Sequence, residues 1–100
     1  MLKVRELLSD ESKWTKGTYA RNSENIRVYA TSLEASRWCL VGALRKCYPG
    51  FGEDYYEAQR KIENTLGHSI HSFVCYLPDW NDAPERTFKE VKDLVNKANV

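Results

Sequence analysis

The stretch Glu34-Ala-Ser-Arg-Trp-Cys-Leu-Val-Gly-Ala-Leu-Arg-Lys-Cys47 decides the fold. From Trp38 to Leu44 every residue is apolar or glycine. A helix built from such a run is buried around nearly its whole circumference and must lie at the centre of the molecule. Just before it, Thr31-Ser-Leu-Glu34 has the form of a capping box. The threonine hydroxyl can accept an amide of the first turn while the glutamate reaches back. The spacing therefore predicts a central helix opened at Thr31 and closed by Tyr48-Pro49-Gly50. Gly42 inside it costs about 1 kcal/mol of helix propensity relative to alanine. The compensation expected is another segment packed closely against the bare backbone.

Downstream, Tyr55, Ala58, Ile62 and Leu66 form one stripe of a helix from Glu53 to Leu66, with Gly67 as its terminator. Ser69 can cap a short turn in which Ile70, Phe73, Val74 and Leu77 keep helical spacing, although the same run tolerates a strand. Pro78 to Pro84 reads as a loop carrying Trp80. Thr87-Phe-Lys-Glu90 is a second capping box, opening a final helix with Phe88, Val91, Leu94, Val95 and Ala98 facing inward.

Upstream, Val4, Leu7 and Leu8 share a face of a short docking helix that ends in the turn-forming Ser9-Asp10-Glu11-Ser12. Trp14 to Arg21 is rich in β-favouring residues, Asn22 to Asn25 in turn formers, and Ile26 to Tyr29 alternates apolar with polar. A β-hairpin follows, with Gly17 marking a bulge or a close backbone approach. The sum is a helix-dominated α+β domain of four to five helices and one N-terminal hairpin.

One hundred residues suit a single domain over 1–100, since two would each fall below the size that sustains a core. Fifteen basic against fourteen acidic residues leave a net charge of +1, which argues against strong nucleic-acid binding through phosphate neutralisation. No apolar run reaches the ~18 residues of a membrane span, and the first residues do not read as a signal peptide. A cytoplasmic location is expected. Three cysteines without a close pair do not make a secreted disulfide framework.

The chemistry-bearing residues divide into tempting and informative ones. Cys39, Cys47 and Cys75 are spread along the chain, and only His68 and His71 have the tight spacing of metal ligands, so no metal site is assigned. Cys39 lies in wholly apolar surroundings, where burial raises a thiol's pKa and leaves it inert. No catalytic residue and no cofactor is assigned, although a small hydrolase or transferase using Cys39 or a histidine stays open. Gly50-Phe-Gly52 lacks the context of a phosphate cradle and reads as a connector.

The hairpin says more. Trp14, Tyr19 and Tyr29 interleave with Lys16, Arg21 and Arg27, and Tyr19 and Arg21, two apart on a strand, share a face. Rings that stack beside guanidinium groups that fork onto oxygens suit a phosphate-bearing base. The plain alternative is a hairpin that covers the helices and leaves its charges in water. Trp80, Asn81 and Asp82 divide the same way. They can close a turn, or offer donors and acceptors to a ligand with Trp80 as a wall.

Trp14-Thr-Lys-Gly17 with Ala20-Arg21, then Arg37-Trp-Cys-Leu-Val-Gly-Ala-Leu44, then Trp80-Asn-Asp82 with Thr87 and Val91, resembles a family of small domains of bacteria and tailed phages. The resemblance covers residues 13–98, and the family has no established activity. It departs from that pattern in its longer, tyrosine-rich middle helix at Tyr55-Tyr56. It implies an accessory protein more than a metabolic enzyme, acting in the host cytoplasm where phage-encoded.

The expectation is a non-enzymatic binding module for a small anionic ligand of nucleotide type. Trp14 and Tyr19 would stack, Lys16 and Arg21 would meet phosphate, Trp80 would form a wall, and Asn81 and Asp82 would read polar edges. Sequestering such a signal would serve counter-defence. So small a domain has little room for a deep pocket, which favours a homo-oligomer with the site between protomers. The alternative is an inhibitor or adaptor that grips a host defence protein through Tyr48, Phe51, Tyr55 and Tyr56.

Overall fold

A computed structural model describes residues 3–50, 52–66 and 77–100. The chain runs through α1 (Val4–Leu7), a 3-10 turn (Glu11–Lys13), β1 (Ala20–Arg21), β2 (Arg37–Trp38), α2 (Leu40–Cys47), α3 (Glu53–Thr65), α4 (Leu77–Asp82) and α5 (Phe88–Ala98). These five helices and one antiparallel strand pair make the helix-dominated α+β fold. His68, His71, Cys75, Phe51 and the turn expected from Ser69 lie outside the described residues.

The core forms where the stripes read from the sequence meet. Leu40 and Leu44 of α2, Ile62 of α3, Val91 and Val95 of α5 and Val4 of α1 are fully buried. Each such side chain contributes about 1.5–3 kcal/mol by leaving water. α3 packs on α5, α2 lies against α3 and α4, and α1 bridges α2 and α5. The Arg5 amide donates to the Val100 carbonyl at 3.1 Å, fastening the last residue to the first helix. The Thr87 capping box forms as its sequence predicts: the Glu90 amide donates to Thr87 Oγ1 at 3.3 Å, and the Thr87 amide to Glu90 Oε1 at 3.0 Å.

The centre of the chain departs from its expected start. α2 begins at Leu40, with Cys39 as its cap, and Arg37–Trp38 is a strand. Thr31 to Ala35 turns instead of coiling, and the Glu34 amide donates to Ser32 Oγ at 3.1 Å rather than to Thr31. Tertiary pairing explains the shift. Ser36 donates to the Arg21 carbonyl at 2.9 Å, Cys39 donates to that of Tyr19 at 3.2 Å, and the Trp38 carbonyl accepts from Thr15 at 3.1 Å. Those groups are thereby withdrawn from a helix. Within an uninterrupted apolar run a buried strand and a buried helix look alike.

The hairpin is also redistributed. β1 takes β2 as its ladder partner, with Ala20 opposite Trp38 and Arg21 opposite Arg37. The expected second arm still closes on the far side of β1. Val28 donates to the Ala20 carbonyl at 3.1 Å, Asn22 donates to that of Ile26 at 2.9 Å, and Arg21 bridges Arg27 antiparallel. Asn25 at φ 67° makes the turn. Pro78 to Asp82, expected as loop, lies in α4, where proline is tolerated because a helix's first amides need no intrahelical partner.

Gly42 meets the segment it was expected to admit. A Cβ there would lie 1.9 Å from the Tyr19 carbonyl oxygen and 2.7 Å from its carbon. The chain just before β1 therefore rests directly on α2.

Candidate functional site

The structure brings the Trp14–Arg21 segment and the Trp80-Asn81-Asp82 turn together through Asn81. Its side chain is fully buried and every bonding position is answered. Oδ1 accepts from Trp14 Nε1 at 2.7 Å and from the Leu40 amide at 3.1 Å. Nδ2 donates to the Thr15 carbonyl at 3.1 Å and to Asp82 Oδ1 at 2.9 Å. Two acceptor sites and two donor hydrogens are the whole capacity of an asparagine amide. The same Asp82 oxygen accepts from the Gly17 amide at 3.0 Å. Gly17 sits at φ 84°, a left-handed conformation that side chains other than glycine's rarely adopt.

The neighbouring cations are spent on the same junction. Lys16 Nζ lies 5.4 Å from the centre of the Trp14 ring and donates to the Ala83 carbonyl at 2.7 Å. Arg21 donates from Nε to Thr15 Oγ1 at 3.1 Å, from Nη1 to the Asn25 carbonyl at 3.1 Å, and from Nη2 to the Lys16 carbonyl at 3.4 Å. Trp80 lies under the Arg86 guanidinium at 4.0 Å, and Arg86 Nε donates to the Trp80 carbonyl at 2.8 Å. Trp14, Lys16, Arg21, Asn81 and Asp82 thus converge on one another and join three segments of chain, and beside them Gly17, Tyr19 and Asp82 line a cavity of about 290 Å³ with Cys39 and Pro78.

Tyr19 lines the outer side of the arm as well. The bridge between Arg21 and Arg27 sets a register in which Tyr19 falls opposite Tyr29. Both rings line a groove of about 540 Å³, together with Arg27, Glu34 and Arg45. Arg45 stacks on Tyr19 at 4.1 Å and donates to its hydroxyl at 3.4 Å. Arg27 makes no hydrogen bond or ion pair through its guanidinium among the described residues. Tyr29 is 87% exposed, and Leu33 on the same arm is 99% exposed. The hairpin sequence groups Tyr19, Arg27 and Tyr29, and of these only Tyr19 is among the site residues expected from it. The alternation of Ile26 to Tyr29 was the signal for the other two. Arg45 and Glu34 carried none, because their meeting depends on where α2 begins.

Cys39 is buried, its Sγ accepts from the Gly42 amide at 3.3 Å, and burial raises its thiol pKa. Burial pushes Cys47 up to about 11. Both thiols are therefore protonated at neutral pH and serve as packing. Tyr55, expected as an exposed anchor, is buried against the core, because it lies on the inward stripe of α3 with Ala58 and Ile62. Burial raises its hydroxyl pKa and a hydrogen bond with Arg45 opposes the rise. Tyr48 is half-buried, and Tyr56 is exposed. Among the described residues no three His, Cys, Asp or Glu side chains are grouped to hold a metal ion. Nor is any described helix long and apolar enough to cross a membrane.

Fold and site together define a small helical domain with a strand-built arm, locked internally by an asparagine and carrying an aromatic, cationic groove on its outer side. Residues 1–99 match a family of unknown function, DUF6197, and the chain belongs to it. Neither the curated proteins nor the solved structures include a match to this chain.

Proposed function

We propose that this protein is a non-catalytic binding module whose ligand is small, anionic and ring-bearing, of nucleotide type. One observation carries the reading: in the outer groove, the rings of Tyr19 and Tyr29 stand beside the exposed guanidinium group of Arg27. Rings of this kind stack on a base, and guanidinium groups fork onto phosphate oxygens. The volume, about 540 Å³, falls within the roughly 300–1,000 Å³ of small-molecule sites. Relative to the expectation from sequence, this reading keeps Tyr19 and moves the other contacts from Trp14, Lys16, Arg21, Trp80, Asn81 and Asp82 to the face of Arg27 and Tyr29. Holding such a ligand without converting it amounts to sequestration. In a phage-borne protein in the host cytoplasm that would serve counter-defence.

The test is a thermal-shift screen against mononucleotides and cyclic nucleotides. A ligand at a hundredfold excess over Kd stabilises by about 2.7 kcal/mol. Arg27→Ala with Tyr29→Ala should remove the response while leaving the unliganded melting point in place. A retained response in that double variant would refute the groove as the site.

A second reading, a protein-binding inhibitor or adaptor, draws on the exposure of Ile26, Tyr29 and Leu33 along one arm. Apolar side chains grouped in this way are common at partner surfaces. It predicts that Leu33→Ala weakens binding of the partner protein more than Arg27→Ala does.

A further inference from the structure

Resting on the small-ligand reading of the outer groove, we infer that Glu34 selects a guanine base there. A carboxylate is out of place in a groove whose other charged lining groups are Arg27 and Arg45, since it repels the anion that the guanidinium groups attract. Glu34 is exposed, and its carboxylate makes no hydrogen bond or ion pair among the described residues, so it is not there to neutralise a neighbour. Its backbone is held, however, by the amide donating to Ser32 Oγ at 3.1 Å.

An ionised carboxylate only accepts hydrogen bonds, and it can take two parallel ones. The ligand must then carry its phosphate at one end and a pair of donors at the other. Guanine offers N1–H and the N2 amino group side by side on one edge. Adenine sets an amino group beside the bare N1 acceptor, cytosine sets one beside bare N3, and uracil flanks its single N–H with two carbonyls. Each of those places a lone pair against a carboxylate oxygen. Guanine does not, and a site that bonds a donor pair rejects bases that lack it. Tyr19 and Tyr29 would stack on the base, Arg27 would meet the phosphate, and Glu34 would read the edge.

The experiment titrates the intact protein with GMP, AMP, CMP and UMP, following the melting temperature and the heat of binding. GMP should bind at least about tenfold more tightly than the other three, the scale of a charge-assisted hydrogen bond. In Glu34→Gln the amide NH₂ opposes one guanine donor, so GMP should weaken about tenfold while AMP holds or improves. Equal binding of all four nucleotides, or an unchanged GMP preference in Glu34→Gln, overturns the role of Glu34 and leaves the groove standing. Binding by none of the four overturns the guanine assignment and the mononucleotide reading of the groove together.

Discussion

The junction around Asn81 and the outer face of the arm use the same kinds of side chain to opposite ends. In the junction, Trp14 Nε1, Lys16 Nζ and all three nitrogens of Arg21 donate to partners within the chain. On the outer face Tyr29 stands in water and the Arg27 guanidinium makes no hydrogen bond or ion pair among the described residues. Tryptophans, tyrosines and arginines clustered in a sequence therefore do not identify a binding surface. What separates the regions is whether the polar atoms are already satisfied, because only unsatisfied or solvated groups can exchange water for a ligand.

The comparison can be broken first at the junction. Replacing Asn81 with Ala strands the Trp14 indole N–H, the Leu40 amide and the Thr15 carbonyl, each at about 1–3 kcal/mol. A loss of about 3 kcal/mol or more in denaturant titration is expected, and Gly42→Ala should match it by driving a Cβ into the Tyr19 carbonyl. Asn81→Asp is the sharper variant. It turns the 2.9 Å contact with Asp82 from donor–acceptor into carboxylate against carboxylate. The pair's pKa rises in the folded state, so this variant should lose stability as pH climbs through the carboxylate range. The parent should show no such step.

How far the sequence announced these regions follows from the residues. Stripes with helical period gave the inward faces of α3 and α5, and the box at Thr87 gave the start of α5, because such signals are local. Gly42 announced a close approach, and Tyr19 makes it. The start of α2 was not legible, since the Trp38–Leu44 run has no period, the Ser36 and Cys39 amides go to the Arg21 and Tyr19 carbonyls, and the Glu34 amide of the Thr31 box goes to Ser32 Oγ. That Trp14 and Asn81 bond each other was hidden by their separation in sequence. Their polarity suited a ligand equally well until the partner was known.

Smaller effects sharpen the contrast. Trp14→Phe keeps a ring but removes one donor from Asn81 Oδ1, which still accepts from Leu40, so a loss of about 1 kcal/mol is expected. The buried thiols give a test by pH. Burial raises the Cys47 pKa from 9.0 to about 11, so the folded state keeps a proton that the unfolded state releases. The contribution of Cys47 should be level below pH 9.0 and fall between there and about 11, and Cys47→Ala should lessen the alkaline fall without removing the share of Cys39 and Tyr55, whose pKa values burial also raises. Arg27→Ala and Tyr29→Ala should each shift unliganded stability by no more than about 0.5 kcal/mol, as surface changes do.

Amide and indole NMR signals recorded while GMP is added test the division of labour most directly. The account predicts that the backbone amides of Arg27, Tyr29 and Glu34 shift with added ligand. The Trp14 indole proton should stay protected from exchange and keep its position. Movement of the Trp14 indole and the Gly17 amide, with the arm unchanged, would contradict it and return the site to the junction.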